Sequence, residues 1–191
     1  MRRTTTALVV ATAALAAPSA AAPASPGWQA FLDVASVLRS PRCLACHVSG
    51  DAPLQGDDGH RHAMNVRRGA DGRGTPALRC TACHQAANSI LPHAPPGAPD
   101  WRLPPPSMPM AWQGLGPEAL CDRLKDPARN GGRSLAALED HLRRDTIVGW
   151  GFDPGAGRQP PPLSRRELVA RFAAWRAAGA PCSAEEAPHA R

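Results

Sequence analysis

Apolar side chains recur at helical spacing near the start of the chain. Over residues 27–39 they fall on one face of a helix, at Trp28, Phe31, Leu32, Ala35 and Leu38. Pro41 ends this predicted helix, because the residue before a proline is disfavoured in the α region. The pattern therefore predicts one amphipathic helix that stops just before the first cysteine of the chain, Cys43.

Three further helices are predicted in the C-terminal half. Residues 116–126 carry a proline in the first turn. Residues 135–144 and 165–178 each follow a serine that can cap a helix, Ser134 and Ser164. All three stretches have leucine or aromatic residues at helical spacing, so each is expected to pack an apolar face against a core.

Between these helices the chain is rich in proline and glycine. Residues 48–79 are polar and glycine-rich, and eight of the nineteen residues in 91–109 are proline, which excludes a regular helix or central strand there. We expect 91–109 to run extended over a surface, and a short helix to run from Cys80 to about Ala87. The predicted fold class is mainly α, with short helices, long Pro/Gly-rich loops and little or no sheet.

The first 24 residues have the three-part layout of a secretory signal peptide. Arg2 and Arg3 precede an apolar run from Ala7 to Ala17, and a tract of small residues follows. This run has 11 residues, whereas a membrane-spanning helix needs about 20. We therefore interpret residues 1–24 as a cleaved signal and expect a periplasmic protein without stable membrane insertion.

Charge gives no indication of a nucleic-acid partner. The net charge of +6 falls to +4 without the two arginines of the signal peptide. No block of like charges occurs along the chain, so nucleic acid is not expected to bind.

Two short motifs carry the candidate chemistry, CLACH at residues 43–47 and CTACH at residues 80–84. Two Cys-x-x-Cys pairs can hold one zinc ion through four thiolates. Four sulfurs, however, already complete the tetrahedral coordination of zinc, so zinc gives no reason for a histidine directly after both pairs. The 33 residues between Cys46 and Cys80 also exceed the usual spacing of such sites.

Covalently attached haem accounts for every chemical group of both motifs. Two cysteines three apart on a helical turn can reach the two vinyl groups of one porphyrin, and the next residue can bring an imidazole to its iron. We therefore predict two haem c groups, one held by Cys43, Cys46 and His47 and the other by Cys80, Cys83 and His84.

The close spacing of the motifs predicts one cytochrome c-like dihaem unit over residues 25–182 rather than two small domains. Haem attachment is assigned to residues 25–100, and the proline-rich loop and the helical half to residues 101–182. Residues 183–191 are expected to form a flexible tail.

An iron that only carries electrons usually has a second axial ligand, histidine or methionine. In the polar loop after the first motif we favour His62, with Met64 as the alternative. In the proline-rich segment we favour Met110 over Met108, because a proline-stiffened loop can fix one thioether over an iron. His141, on a predicted helix, is the main rival.

Two cysteines and three tryptophans lie outside the motifs. Cys121 and Cys182 are left over, and in an exported chain we expect them to form a disulfide. Trp101, Trp112 and Trp150 are expected either to pack on the porphyrins or to belong to an ordinary core.

Longer stretches resemble one family. They are LQGDDGHRHAMNVRRGADGRG over 54–74, GAPDWRLPPPSMPM over 97–110, LCDRLKDPARNGGRSL over 120–135 and VGWGFDPG over 148–155. They resemble the small dihaem c-type cytochrome subunits named with isoquinoline 1-oxidoreductase, which accompany exported molybdenum hydroxylases of the xanthine dehydrogenase type. The resemblance covers most of residues 40–182. It implies that the protein takes electrons from a molybdenum and iron–sulfur hydroxylase, which itself binds the substrate, and passes them to a respiratory or soluble acceptor.

The sequence therefore favours a carrier of single electrons that is not itself an enzyme. One alternative is a small dihaem peroxidase, which needs one open iron with an acid/base group above it. The chain is short for that class, and no such constellation stands out. The other alternative is a haem-based sensor, although no signalling domain stands out in the sequence.

Overall fold

The computed structural model describes residues 25–186 and is mainly helical. This part of the chain has six α-helices: α1 Pro26–Leu38, α2 Pro41–Leu44, α3 Pro117–Lys125, α4 Leu135–Arg144, α5 Thr146–Phe152 and α6 Arg165–Ala177. It has two short antiparallel hairpins: β1 Leu54–Gln55 with β2 His60–Arg61, and β3 Gly74–Thr75 with β4 Leu78–Arg79. The predicted mainly α class is confirmed. The predicted signal peptide and the end of the predicted tail, residues 187–191, lie outside the described residues.

The four helices expected from periodicity are α1, α3, α4 and α6, close to their predicted bounds. Both predicted serine caps are present. The Ser134 hydroxyl accepts a hydrogen bond from the amide of Ala137, and Ser164 forms a reciprocal capping box with Glu167.

The predicted helix from Cys80 to about Ala87 is wrong. Only a 3-10 turn over Cys80–Ala82 forms, and a loop follows it. The side chain of Asn88 holds this loop by accepting hydrogen bonds from the amide of Gly97 and the indole of Trp150. These bonds tie Asn88 to distant parts of the chain, and such tertiary contacts can override a local helix preference.

Helices α1, α3, α4 and α6 enclose the apolar core. The largest fully buried side chains include Phe31 on α1, Leu120 on α3 and Trp175 on α6. The predicted Cys121–Cys182 disulfide is present and joins α3 to the segment after α6. Closing a loop of 61 residues stabilises the fold by about 4 kcal/mol in the chain-entropy model.

The proline-rich segment 91–109 has no helix or strand, as predicted. Its central part is tied to the loop after the first motif by a buried arginine. The guanidinium of Arg68 donates to the carbonyl oxygens of Val48, Gly50 and Pro104. No helix over residues 25–186 is long and apolar enough to span a membrane.

Candidate haem-binding sites

Both cysteine motifs fold into the same backbone turn. The carbonyl oxygen of Cys43 accepts hydrogen bonds from the amides of Cys46 and His47 at 3.2 and 3.1 Å. In the second motif the carbonyl oxygen of Cys80 accepts from the amides of Cys83 and His84 at 3.2 and 2.9 Å. The motif itself therefore sets this turn, although α2 includes the first two residues of one motif and a short hairpin precedes the other.

A backbone carbonyl fixes each motif histidine. Nδ1 of His47 donates to the carbonyl oxygen of Met110 at 2.9 Å, and Nδ1 of His84 donates to that of Pro96 at 2.8 Å. These bonds put the proton on Nδ1 and leave the lone pair on Nε2. Metal-binding histidines are commonly held in this way through their second nitrogen.

A tryptophan stacks on each of these imidazoles. Trp112 lies 3.5 Å from His47 between ring centroids, and Trp101 lies 4.3 Å from His84, with 6° between the planes in both pairs. The amide of Trp112 also donates to the carbonyl oxygen of His47 at 2.9 Å. Two of the three tryptophans singled out in the sequence thus orient the motif histidines.

A cavity opens beside each motif. Cavity A contains about 900 Å³ of empty space and is lined by Cys43, Cys46 and His47 together with side chains of α3, α4, α5 and α6. Cavity B contains about 1270 Å³ and is lined by Cys80, Cys83 and His84 together with loop residues. Both volumes include space open to solvent.

The two cavities adjoin each other. Arg42, Cys46 and Trp150 line both of them. The Cys46 and Cys80 thiols are also close enough to affect each other electrostatically. Groups held in the two cavities would therefore be neighbours, as the spacing of the motifs predicts.

Burial keeps the motif side chains of cavity A neutral. Burial lowers the pKa of His47 to about 4, and it raises the pKa of Cys43 to about 11 and that of Cys46 to about 12. In cavity B burial shifts the pKa of His84 and that of Cys80 in the same directions. Neutral imidazoles can bind a metal, and neutral thiols suit an apolar cavity.

His62 faces His84 across cavity B. The centroids of the two rings are 6.0 Å apart, with 60° between their planes. Metal–imidazole bonds of about 2 Å would put two rings on opposite sides of one metal with their centroids roughly 6 Å apart. Nδ1 of His62 donates to the carbonyl oxygen of Ala63 at 2.8 Å, which leaves its Nε2 free as well. Met64 also lines cavity B but is 78% exposed.

In cavity A the candidates are His141 and Met110. His141, on α4, lines the cavity and is close enough to His47 to influence its pKa. Met110 also lines the cavity, but its carbonyl oxygen binds Nδ1 of His47, on the side of the ring away from Nε2. Its backbone has φ 44°, in the left-handed region that is rare outside glycine. Met108 lines neither cavity.

The carbonyl partners of the motif histidines were missed in the sequence. Pro96 and Met110 act through backbone oxygens, which every residue has, so no residue type marks them. The side chain of Asn88 was also missed, although it ties the second motif's loop to Trp150 on α5.

The two cysteine pairs do not form a joint metal site. They line different cavities, apart from the shared Cys46. Within residues 25–186, no three histidine, cysteine, aspartate or glutamate side chains are grouped so that they could hold a metal ion. Comparison with protein-family models, with curated proteins and with solved structures finds no match to this chain. The resemblance to dihaem cytochrome subunits therefore stays a prediction.

Proposed function

We propose that the protein is a dihaem c-type cytochrome that carries single electrons. The observation that carries the proposal is the pair His62 and His84, two imidazoles with free Nε2 atoms at the spacing of two ligands of one iron. This pair lies in a cavity that Cys80 and Cys83 line, so two thiols that could attach a haem and two imidazoles that could bind its iron occur together.

The residues of both cavities fit a covalent haem. Cys43 and Cys46 would hold one haem in cavity A, and Cys80 and Cys83 the other in cavity B. Each bound haem supplies an iron that can gain or lose one electron. His47 and His84 would bind the irons on the motif side, and the carbonyls of Met110 and Pro96 would hold those imidazoles in place.

For the opposite faces we assign His62 in cavity B and His141 in cavity A. His141 takes preference over Met110, because the Met110 carbonyl binds Nδ1 of His47, on the side of the ring away from Nε2. Met64 and Met108 are the weaker alternatives. Two histidines per iron would leave it no open position, and such ligation would suit a carrier rather than a peroxidase or a gas sensor, which both need an open position.

The redox partners and the cellular compartment are inferred mainly from the sequence. The resemblance implies a molybdenum and iron–sulfur hydroxylase as donor and a respiratory or soluble protein as acceptor. The Cys121–Cys182 disulfide supports an exported, oxidising location such as the periplasm.

The decisive experiment is to produce the protein in cells that mature c-type cytochromes and to measure its spectrum with a pyridine haemochrome count. We expect two covalent haems per chain, both low-spin, and no carbon monoxide binding after reduction. A variant with Cys80→Ser and Cys83→Ser should retain one haem. A colourless protein with one zinc ion per chain would reject the proposal, and carbon monoxide binding would favour the sensor or the peroxidase.

A further inference from the structure

Only one sign of charge lines the two cavities. Among the described residues that line them, no aspartate or glutamate occurs, whereas six are arginines: Arg42, Arg79, Arg123, Arg129, Arg133 and Arg158. Three of the six pair with a carboxylate: Arg42 with Asp57, Arg79 with Asp71 and Arg129 with Asp126. Arg123, Arg133 and Arg158 form no ion pair with an acidic side chain of the described residues, so the lining of the two cavities keeps an excess of positive charge.

Two of these arginines have a buried donor with nothing to bind. Nε of Arg42 and Nε of Arg123 are buried and make no hydrogen bond. Arg42 is only 5% exposed. A buried donor without an acceptor costs about 1–3 kcal/mol, so each of these guanidinium groups would be stabilised by a ligand that supplies an acceptor.

In cavity B, Arg42 and Arg158 share a single nearby carboxylate. Arg42 pairs with Asp57, and Arg158 is close enough to both to interact electrostatically. Arg158 itself donates only to the neutral carbonyls of Ala94 and Pro154 among the described residues. Two guanidinium groups thus lie near one carboxylate, which leaves an excess positive charge at the wall of cavity B.

In cavity A, Arg123 and Arg133 likewise have no carboxylate of their own. The carboxylate near Arg123 is that of Asp126, and it is bound by Arg129 at 2.6 Å. No ion pair forms between Arg123 or Arg133 and any acidic side chain in the described part of the chain. Arg133 lies near His141, so this charge is close to the assigned iron ligand.

We propose that Arg42 with Arg158 in cavity B, and Arg123 with Arg133 in cavity A, bind the propionate carboxylates of the two haems. The inference rests on the proposed function. Each haem carries two carboxylates, and guanidinium is the side chain that pairs best with carboxylate in a bidentate geometry. The arrangement would compensate the haem charge inside an apolar cavity and hold each ring in one orientation.

Arg123 is the best residue for the test, because no salt bridge or side-chain hydrogen bond of the described fold depends on it. We would compare Arg123→Gln with Arg123→Lys, which keeps the charge, and with Arg144→Gln as a matched control. Arg144 pairs with Asp140 on the exposed face of α4 and lines neither cavity. Arg42→Gln would test cavity B.

Three quantities are measured on each purified protein: the haem count, the midpoint potential of each haem, and the infrared bands of haem carboxylates that carry an isotope label. All variants should retain two haems, because thioether bonds attach them. Arg123→Gln should shift the labelled carboxylate bands and lower one midpoint potential, since a lost positive charge stabilises the oxidised iron. Arg123→Lys should largely restore the potential.

The outcomes separate the two proposals. Two haems with carboxylate bands in Arg123→Gln and Arg42→Gln that match the wild type would overturn the arginine assignment and leave the cytochrome intact. A changed potential with unchanged bands would also overturn it, because the arginine would then act only through its charge. A wild-type protein without haem would instead overturn the proposed function.

Discussion

Cavities A and B share a backbone turn, an imidazole bound through Nδ1 to a carbonyl oxygen, and a tryptophan stacked on that imidazole. Different parts of the fold form their walls. Helices α3, α4, α5 and α6 contribute to cavity A, which adjoins the apolar core at Leu138 and Phe172. Loops and the two small hairpins contribute most of cavity B. His47 is accordingly more deeply buried than His84, and its pKa is lowered to about 4.

Five local residues therefore set the backbone turn of each motif, whereas the surrounding fold sets its environment. Oxidised haem iron carries one more positive charge than reduced iron, and burial disfavours that charge. If histidines bind both irons on both faces, the haem in cavity A should have the higher midpoint potential. Burial would then give the electron its direction.

The largest expected effect comes from removing the histidines assigned to the opposite faces. His62→Ala should convert one of the two haems from low-spin to high-spin, and His141→Ala should convert the other. Each variant loses one axial ligand and leaves the second haem unchanged. Absorption and electron paramagnetic resonance spectra measure the fraction converted.

Met110→Leu is the matched comparison for cavity A. It removes the thioether but keeps the carbonyl that binds His47, so both haems should stay low-spin. Conversion to high-spin in Met110→Leu, together with an unchanged spectrum in His141→Ala, would show that methionine is the ligand in cavity A.

The two stacked tryptophans should differ in their contribution to stability. Trp112 is only 8% exposed, and Trp112→Ala should lower the free energy of unfolding by about 3–5 kcal/mol. Trp101 is only partly buried, so Trp101→Ala should cost less. Denaturant unfolding at equal haem content gives both values. An equal or larger loss in Trp101→Ala would contradict the contrast between a core wall and a loop wall.

Local patterns predicted the parts of the molecule that local interactions determine. Four helices followed from apolar periodicity, and the caps at Ser134 and Ser164 followed from short-range hydrogen bonding. Helix α5 was not predicted, because its seven residues include two glycines and weak helix formers. It depends on Asp145, whose carboxylate caps its first turn, and on Arg165, which donates to the Leu142 and Asp145 carbonyls.

The candidate sites show the same division between local and distant contacts. The motif residues are adjacent in sequence, so spacing alone identified them. His141 is far from His47 along the chain, and the two line the same cavity only because the fold brings α4 to it. The carbonyl groups of Met110 and Pro96, which bind the motif histidines, lie in loops. No periodic sequence pattern predicts the path of these loops.

The smallest of the expected effects concerns the loop that supports His84. A Cβ at Gly97 would lie 2.0 Å from the carbonyl oxygen of Ala87 and 2.6 Å from that of Gln85. Gly97→Ala must therefore displace the backbone next to Pro96, whose carbonyl binds Nδ1 of His84. We expect a loss of about 1–3 kcal/mol in the free energy of unfolding, together with a spectral change confined to one haem.

Gly50→Ala is the matched control, since nothing lies within 4 Å of a Cβ at that position. It should leave both stability and spectrum near those of the wild type. If Gly97→Ala alters both haems equally, the two cavities are more tightly coupled than their separate walls indicate. If it alters neither, the Pro96 carbonyl does not control the His84 imidazole, and the parallel between the two clamped histidines fails at cavity B.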